Sequence, residues 1–151
     1  MMLSILFIVV TSVFIIVTKA ACPSGWVTNG INCYQFNVAS SVTWQQCYDK
    51  CASLGASMLC ITDATNNAWV FSQVGTGTWI GYTDLPAKQG SYTWVSGCTS
   101  TYSNWNTGEP NFLGTEDVTD FTNSAGKWNN LPPSFNSDKC SCELYSGSIS
   151  E

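Results

Sequence analysis

Histidine and arginine are both missing from this 151-residue chain, and only a tenth of its residues carry charge. Without arginine there is no planar fork to grip phosphates or carboxylates two-handed. Without histidine there is neither the usual general base nor the commonest metal ligand. Five lysines face ten acids, and Lys19 lies in the opening segment, so the remainder sets four lysines against ten acids, a net charge near −6. Such a surface repels nucleic acid and anionic membranes. Anionic ligands are poor candidates for the same reason. No N-x-S/T sequon, internal repeat, collagen-like tract or heptad run occurs. Long apolar runs are confined to the opening "MMLSILFIVVTSVFIIVTKA", apolar from Leu3 to Val17 and closing on Thr18-x-Ala20 before Ala21 and Cys22. That run falls short of the ~20 apolar residues of a membrane span. It predicts a secretory signal peptide over residues 1–20, cleaved after Ala20 or Ala21, and an extracellular product.

What the chain does have is cysteine. All eight lie between Cys22 and Cys142, and an even count in a small exported chain predicts four disulfides and an oxidising compartment. Zinc is disfavoured, because the spacings are C-x3-C and C-x-C and no histidine is available.

Helical spacing of Trp44, Cys47, Tyr48, Cys51 and Leu54 predicts an amphipathic helix within Ser41–Gly55, with Thr43 and Gln46 in capping-box register and Gly55 as its stop. A shorter helix is predicted over Ala64–Val74, opened by Thr62 or Asp63 and closed by Gly75. "GTWIGYTD", "GSYTWVSG" and "DKCSCELY" read as strands. Thr99 to Pro133, rich in Asn, Gly, Ser, Thr and Pro, reads as one long irregular stretch, and such stretches are usually functional. Within it "NWNTGEPNFLGTED" concentrates Glu109, Glu116 and Asp117 in a chain with little charge elsewhere.

The ordered set "CPSGWVTNGINCYQF", "TWQQCYDKCASLGASM", "TWIGYTD", "YTWVSG", "NWNTGEPN", "GTED", "KWNN" and "CSCELY" resembles the C-type lectin-like domain over residues 22–145. The resemblance implies an α+β fold with two helices, two small antiparallel sheets and a long ligand-binding loop region, stapled by disulfides. It implies Cys22–Cys33 and Cys51–Cys142. The family's second internal bridge is missing, since Val118 follows "ED" and Pro133 stands where its partner is expected. Cys47 lies one turn before Cys51, and Cys140 shares a strand face with Cys142, so Cys47–Cys140 is sterically reasonable and leaves Cys60 for Cys98. Trp44, Trp69, Trp79, Trp94 and Trp128 are expected in the framework, with Trp105 and Phe112 flanking the loop.

Calcium takes six to eight oxygen ligands, and the resemblance assigns it to Glu109, Asn111, Glu116, Asn129 and Asn130, with a cis bond before Pro110. Two neighbouring sugar hydroxyls would complete the ion, one served by Glu109 and Asn111, the other by Glu116 and Asn129. The Glu-Pro-Asn order implies mannose, fucose or N-acetylglucosamine. Asn130 stands where the family has Asp, which predicts weaker calcium binding. An auxiliary site at Asp84, Glu116 and Asp117 looks incomplete, with Lys88, Gln89 and Phe112 nearby. Expected partners are glycans with mannose-type hydroxyls and, as an option, further copies of the chain; nucleic acid and membrane insertion are not expected. Two other readings compete. Glu109 and Glu116 could be a glycoside-hydrolase carboxylate pair, disfavoured because no nucleophile motif or histidine accompanies them. The same fold could serve as a calcium-independent protein- or surface-binding module.

Overall fold

Thr43 opens the first helix by a reciprocal pair of bonds: its hydroxyl accepts from the Gln46 N–H at 3.2 Å, and its own N–H donates to Gln46 Oε1 at 2.9 Å. The computed structural model describes residues 22–87, 90–112, 114–136 and 138–144. The leader over residues 1–20, Lys88, Gln89 and the terminal Tyr145 lie outside the described residues.

Helix α1 spans Trp44–Ser53, and α2 spans Ala64–Val74. Of the two candidate caps for α2, Asp63 takes the role, accepting from the Asn66 N–H at 2.8 Å. Ser41 and Val42, just ahead of the Thr43 cap, finish a strand. Ser41 has φ +55°, and Val42 pairs with Asp138.

One sheet has the order β1 (Val27–Asn29), β2 (Asn32–Val42), β8 (Asp138–Leu144), β3 (Ser57–Met58); the other has β5 (Thr93–Trp94), β4 (Trp79–Thr83), β6 (Val118–Phe121), β7 (Trp128–Leu131). All pairings are antiparallel. Two corrections to the sequence reading follow. The stretch from Thr99 to Pro133 contains β6 and β7, so its long irregular part ends at Asp117 and only the short connection over residues 122–127 and the two residues after β7 remain irregular beyond it. These strands escape pattern reading because Thr119, Asp120 and Asn130 are polar yet buried, so no apolar alternation marks them. The expected strand in "GSYTWVSG" shrinks to Thr93–Trp94.

Four bridges join Cys22–Cys33, Cys47–Cys140, Cys51–Cys142 and Cys60–Cys98. The second and third lie side by side, pinning α1 to β8. Buried indoles tie the layers together: Trp44 N–H donates to the Ile80 carbonyl, Trp79 N–H to Val42, and Trp128 N–H to Asn67 Oδ1, all at 2.8–2.9 Å. Trp94 is buried and Trp69 is half-buried against the same core. At Gly81 a Cβ would meet the Leu59 carbonyl at 3.2 Å and Met58 Cβ at 3.2 Å, so glycine lets β4 pass this close without its neighbours giving way.

Three of the carboxylates buried in this frame have raised pKa values. Glu143 on β8 accepts from Asn32 Nδ2 at 2.7 Å and from the Cys60 N–H at 2.9 Å. Burial pushes its carboxyl up to about 7, although these bonds and one from Tyr34 pull the other way. Asp120 on β6 and Asp138 on β8 share a hydrogen bond, and burial raises both; the charge of Asp138 raises Asp120 further, while the bond to Asp120 and the Lys139 charge pull Asp138 back down.

Candidate functional site

The irregular chain before β6 is laid along β7. The Trp128 N–H donates to the Asn104 carbonyl at 3.0 Å, and the Asn106 N–H donates back to the Trp128 carbonyl at 2.8 Å. Lys127 Nζ adds a bond to Asn104 Oδ1 at 2.7 Å. A turn closed by the Glu109 N–H on the Asn106 carbonyl, with Gly108 at φ +89°, then delivers Glu109, whose bond to Pro110 is cis.

At this turn Asn111 Nδ2 donates to Glu109 Oε1 at 3.0 Å. The other oxygens of the pair, Glu109 Oε2 and Asn111 Oδ1, are buried without a hydrogen-bond partner. Both are acceptors only, and an acceptor out of water with no donor costs about 1–3 kcal/mol. A cation beside them relieves that cost. Glu116 is half-buried near the same point; burial first, and the charge of Glu109 second, raise its carboxyl above the ordinary range. The chemistry present is two carboxylates and an amide oxygen with no nitrogen or sulfur donor, which fits a hard, oxygen-seeking cation.

The structure brings Asn130 to this cluster in a different posture. It is wholly buried on β7; its Oδ1 accepts from the Asn111 N–H at 3.0 Å, and its Nδ2 donates to the carbonyls of Asn111 at 2.5 Å and Glu116 at 2.7 Å. Asn129, its neighbour, is half-buried and pairs across the sheet with Asp120. Around the expected auxiliary site, Asp84 and Asp117 are buried together: the Asp84 N–H donates to the Asp117 carbonyl at 3.1 Å, and Asp84 Oδ2 accepts from the Gly90 N–H at 2.8 Å. Tyr92, part of "YTWVSG" but given no site role by the sequence, donates its hydroxyl to the Glu116 carbonyl at 3.1 Å. Burial raises its pKa, as do the charges of Asp84, Asp117 and Glu116. Only the fold reveals this residue.

Trp105 packs edge-on against Trp128 with ring centroids 6.0 Å apart. Phe112 is 72% exposed at φ +40°, so the loop presents it to solvent. A cleft of about 500 Å³ lies elsewhere, between the β1–β2 turn and the start of α2, lined by Tyr34, Asn66 and Trp69 among others and by none of the residues above. Among the described residues no helix is long and apolar enough to cross a membrane.

A family model described as the Lectin C-type domain matches residues 40–145. A perlucin-like protein of Mytilus galloprovincialis is 31% identical over 118 residues, which is 73% of this chain and 74% of that protein. The crystal structure of the C-type lectin CEL-I from Cucumaria echinata superposes with a TM-score of 0.76 at 26% identity, covering 83% of this chain and 99% of that one. A calcium-independent type II antifreeze protein gives a TM-score of 0.75 at 23% identity over 82% of this chain and 94% of that one, a likeness of fold alone. Several other curated relatives are much longer, this chain spanning less than half of their length.

Proposed function

The chain belongs to the C-type lectin domain family, and from that premise we propose that it is a secreted, calcium-dependent binder of mannose-, fucose- or N-acetylglucosamine-type glycans, with microbial surfaces among its targets. The family's fold is a carbohydrate-binding, non-enzymatic one, which leaves no place for Glu109 and Glu116 as a hydrolase pair. The observation that carries the reading is the pair of buried, partnerless acceptors at Glu109 Oε2 and Asn111 Oδ1, one residue either side of Pro110. Glu109, Asn111, Glu116 and Asn129 would hold the ion; Asn130, expected among the ligands, has its side-chain oxygen and nitrogen engaged by the backbone of Asn111 and Glu116 instead. Bound there, calcium supplies vacant coordination places for two vicinal hydroxyls.

The chain's own residues do the rest. Carboxylate oxygens of Glu109 and Glu116 accept hydrogen bonds from the sugar hydroxyls, and the amides of Asn111 and Asn129 donate to them, so each hydroxyl acts as donor and acceptor at once. The Glu109-Pro110-Asn111 order supports the mannose-type choice. Secretion is supported by eight cysteines all engaged in bridges. One sugar on one site binds weakly, so useful avidity calls for several copies.

Retention on immobilised mannan tests this. Binding in calcium and release by EDTA support the reading. Indifference to EDTA, with capture by a protein ligand instead, favours a calcium-independent module.

A further inference from the structure

Asn130 differs from the other expected ligands in that its side chain is spent inside the protein, and what it is spent on defines a role. It is 0% exposed. Its amide oxygen holds the Asn111 N–H at 3.0 Å, while its amide nitrogen holds the Asn111 carbonyl at 2.5 Å and the Glu116 carbonyl at 2.7 Å. One side chain thus grips Asn111 from both sides of its backbone and reaches Glu116, tying to β7 two points of the loop that bears Glu109, Asn111 and Glu116.

The choice of amide over carboxylate matters here. Two carbonyl oxygens converge on a single nitrogen, and carbonyls accept but never donate. An ionised carboxylate in the same place would set acceptors against acceptors, and only a cation could then draw the carbonyls together. The amide nitrogen brings its own two hydrogens.

We propose that Asn130 is a positioning residue whose amide nitrogen gathers the Asn111 and Glu116 carbonyls in place of a cation, so that the site-bearing loop is organised before any ion arrives. The inference rests on the calcium reading for what the loop binds, but it concerns loop order alone. It follows that EDTA releases sugar while leaving the loop in shape, and that the Asn130→Asp change makes loop order depend on the ion.

The test is amide hydrogen exchange, followed by NMR at the Asn111 N–H, in the oxidised protein with calcium and with EDTA. In the wild type the two rates are expected to agree within about threefold; in Asn130→Asp exchange is expected to be at least about tenfold faster in EDTA than in calcium, the signature of a local opening that the ion suppresses. A greater than threefold rise in the wild type on adding EDTA overturns the proposal, as do equal rates in the two conditions for the Asp variant. Should that variant fail to fold, the wild-type pair decides alone. Mannan retention, measured in parallel, separates the two ideas. Absence of retention even in calcium, with an unchanged Asn111 rate, sinks the lectin reading only, and EDTA-sensitive retention with a loop that opens in EDTA sinks this inference only.

Discussion

Glu143 makes the fold's stability depend on pH in a direction opposite to that of most carboxylates. It is 1% exposed, and its pKa is raised from 4.5 to about 7, chiefly because burial penalises the charged form. An acid whose folded-state pKa lies above its unfolded value binds more protons in the native state. Its stabilising contribution is therefore complete below about pH 4.5 and is lost as pH rises through about 7. At about 1.4 kcal/mol per unit, the loss amounts to about 3 kcal/mol. The perturbation is Glu143→Gln. Glutamine keeps one acceptor oxygen where glutamate has two, so either Asn32 Nδ2 or the Cys60 N–H loses its partner, at a pH-independent cost of about 1–2 kcal/mol. The titration itself disappears. Guanidinium unfolding with disulfides intact and EDTA present, compared at pH 4.5 and pH 8, should give a fall in stability about 3 kcal/mol smaller for the variant than for the wild type. Asp120 and Asp138 are raised too and add a slope of the same sign to both proteins, which the comparison cancels. Parallel curves for the two proteins would refute the reasoning.

Three further outcomes are expected. Glu109→Gln removes a charge from the proposed ion site without breaking a core contact. It should abolish EDTA-sensitive retention on mannan while changing stability by less than about 1 kcal/mol, as denaturant unfolding will report. Trp128→Phe leaves the buried Asn67 Oδ1 without its 2.8 Å donor and should cost about 2–4 kcal/mol in the same assay. Replacing Cys47 and Cys140 by alanine should cost under about 2 kcal/mol, because Cys51–Cys142 still closes nearly the same long loop; removing both bridges should cost more than the sum of the two single removals. Differential melts of the three variants check this.

The helices are legible because their ends are written in local chemistry: the Thr43 and Gln46 pair, Asp63, and Gly75 at φ +69° all act within four residues. Strands β6 and β7 are not, since their inward positions hold Thr119, Asp120 and Asn130, which report burial only once their partners are known. The long β2 is hidden for another reason. Asn37 at φ +52° and Ser41 at φ +55° break its alternation, and its register with β8 shifts twice. At the candidate site, the spacing of Glu109, Pro110 and Asn111 is readable because a motif is a run of neighbours. Tyr92 and the posture of Asn130 are not readable, because their contacts cross from β7 and the β5 hairpin to a distant loop. An amide at position 130 looks, in sequence, like a weakened carboxylate. In the fold it is a donor to two carbonyls.

The most direct measurement is calorimetric titration of calcium into the oxidised, monodisperse protein, repeated with a mannose oligosaccharide added. One ion per chain at sub-millimolar to millimolar affinity, with sugar binding heat seen only after the ion is loaded, is the expected result. No uptake of calcium at millimolar concentration by a well-folded sample would contradict it.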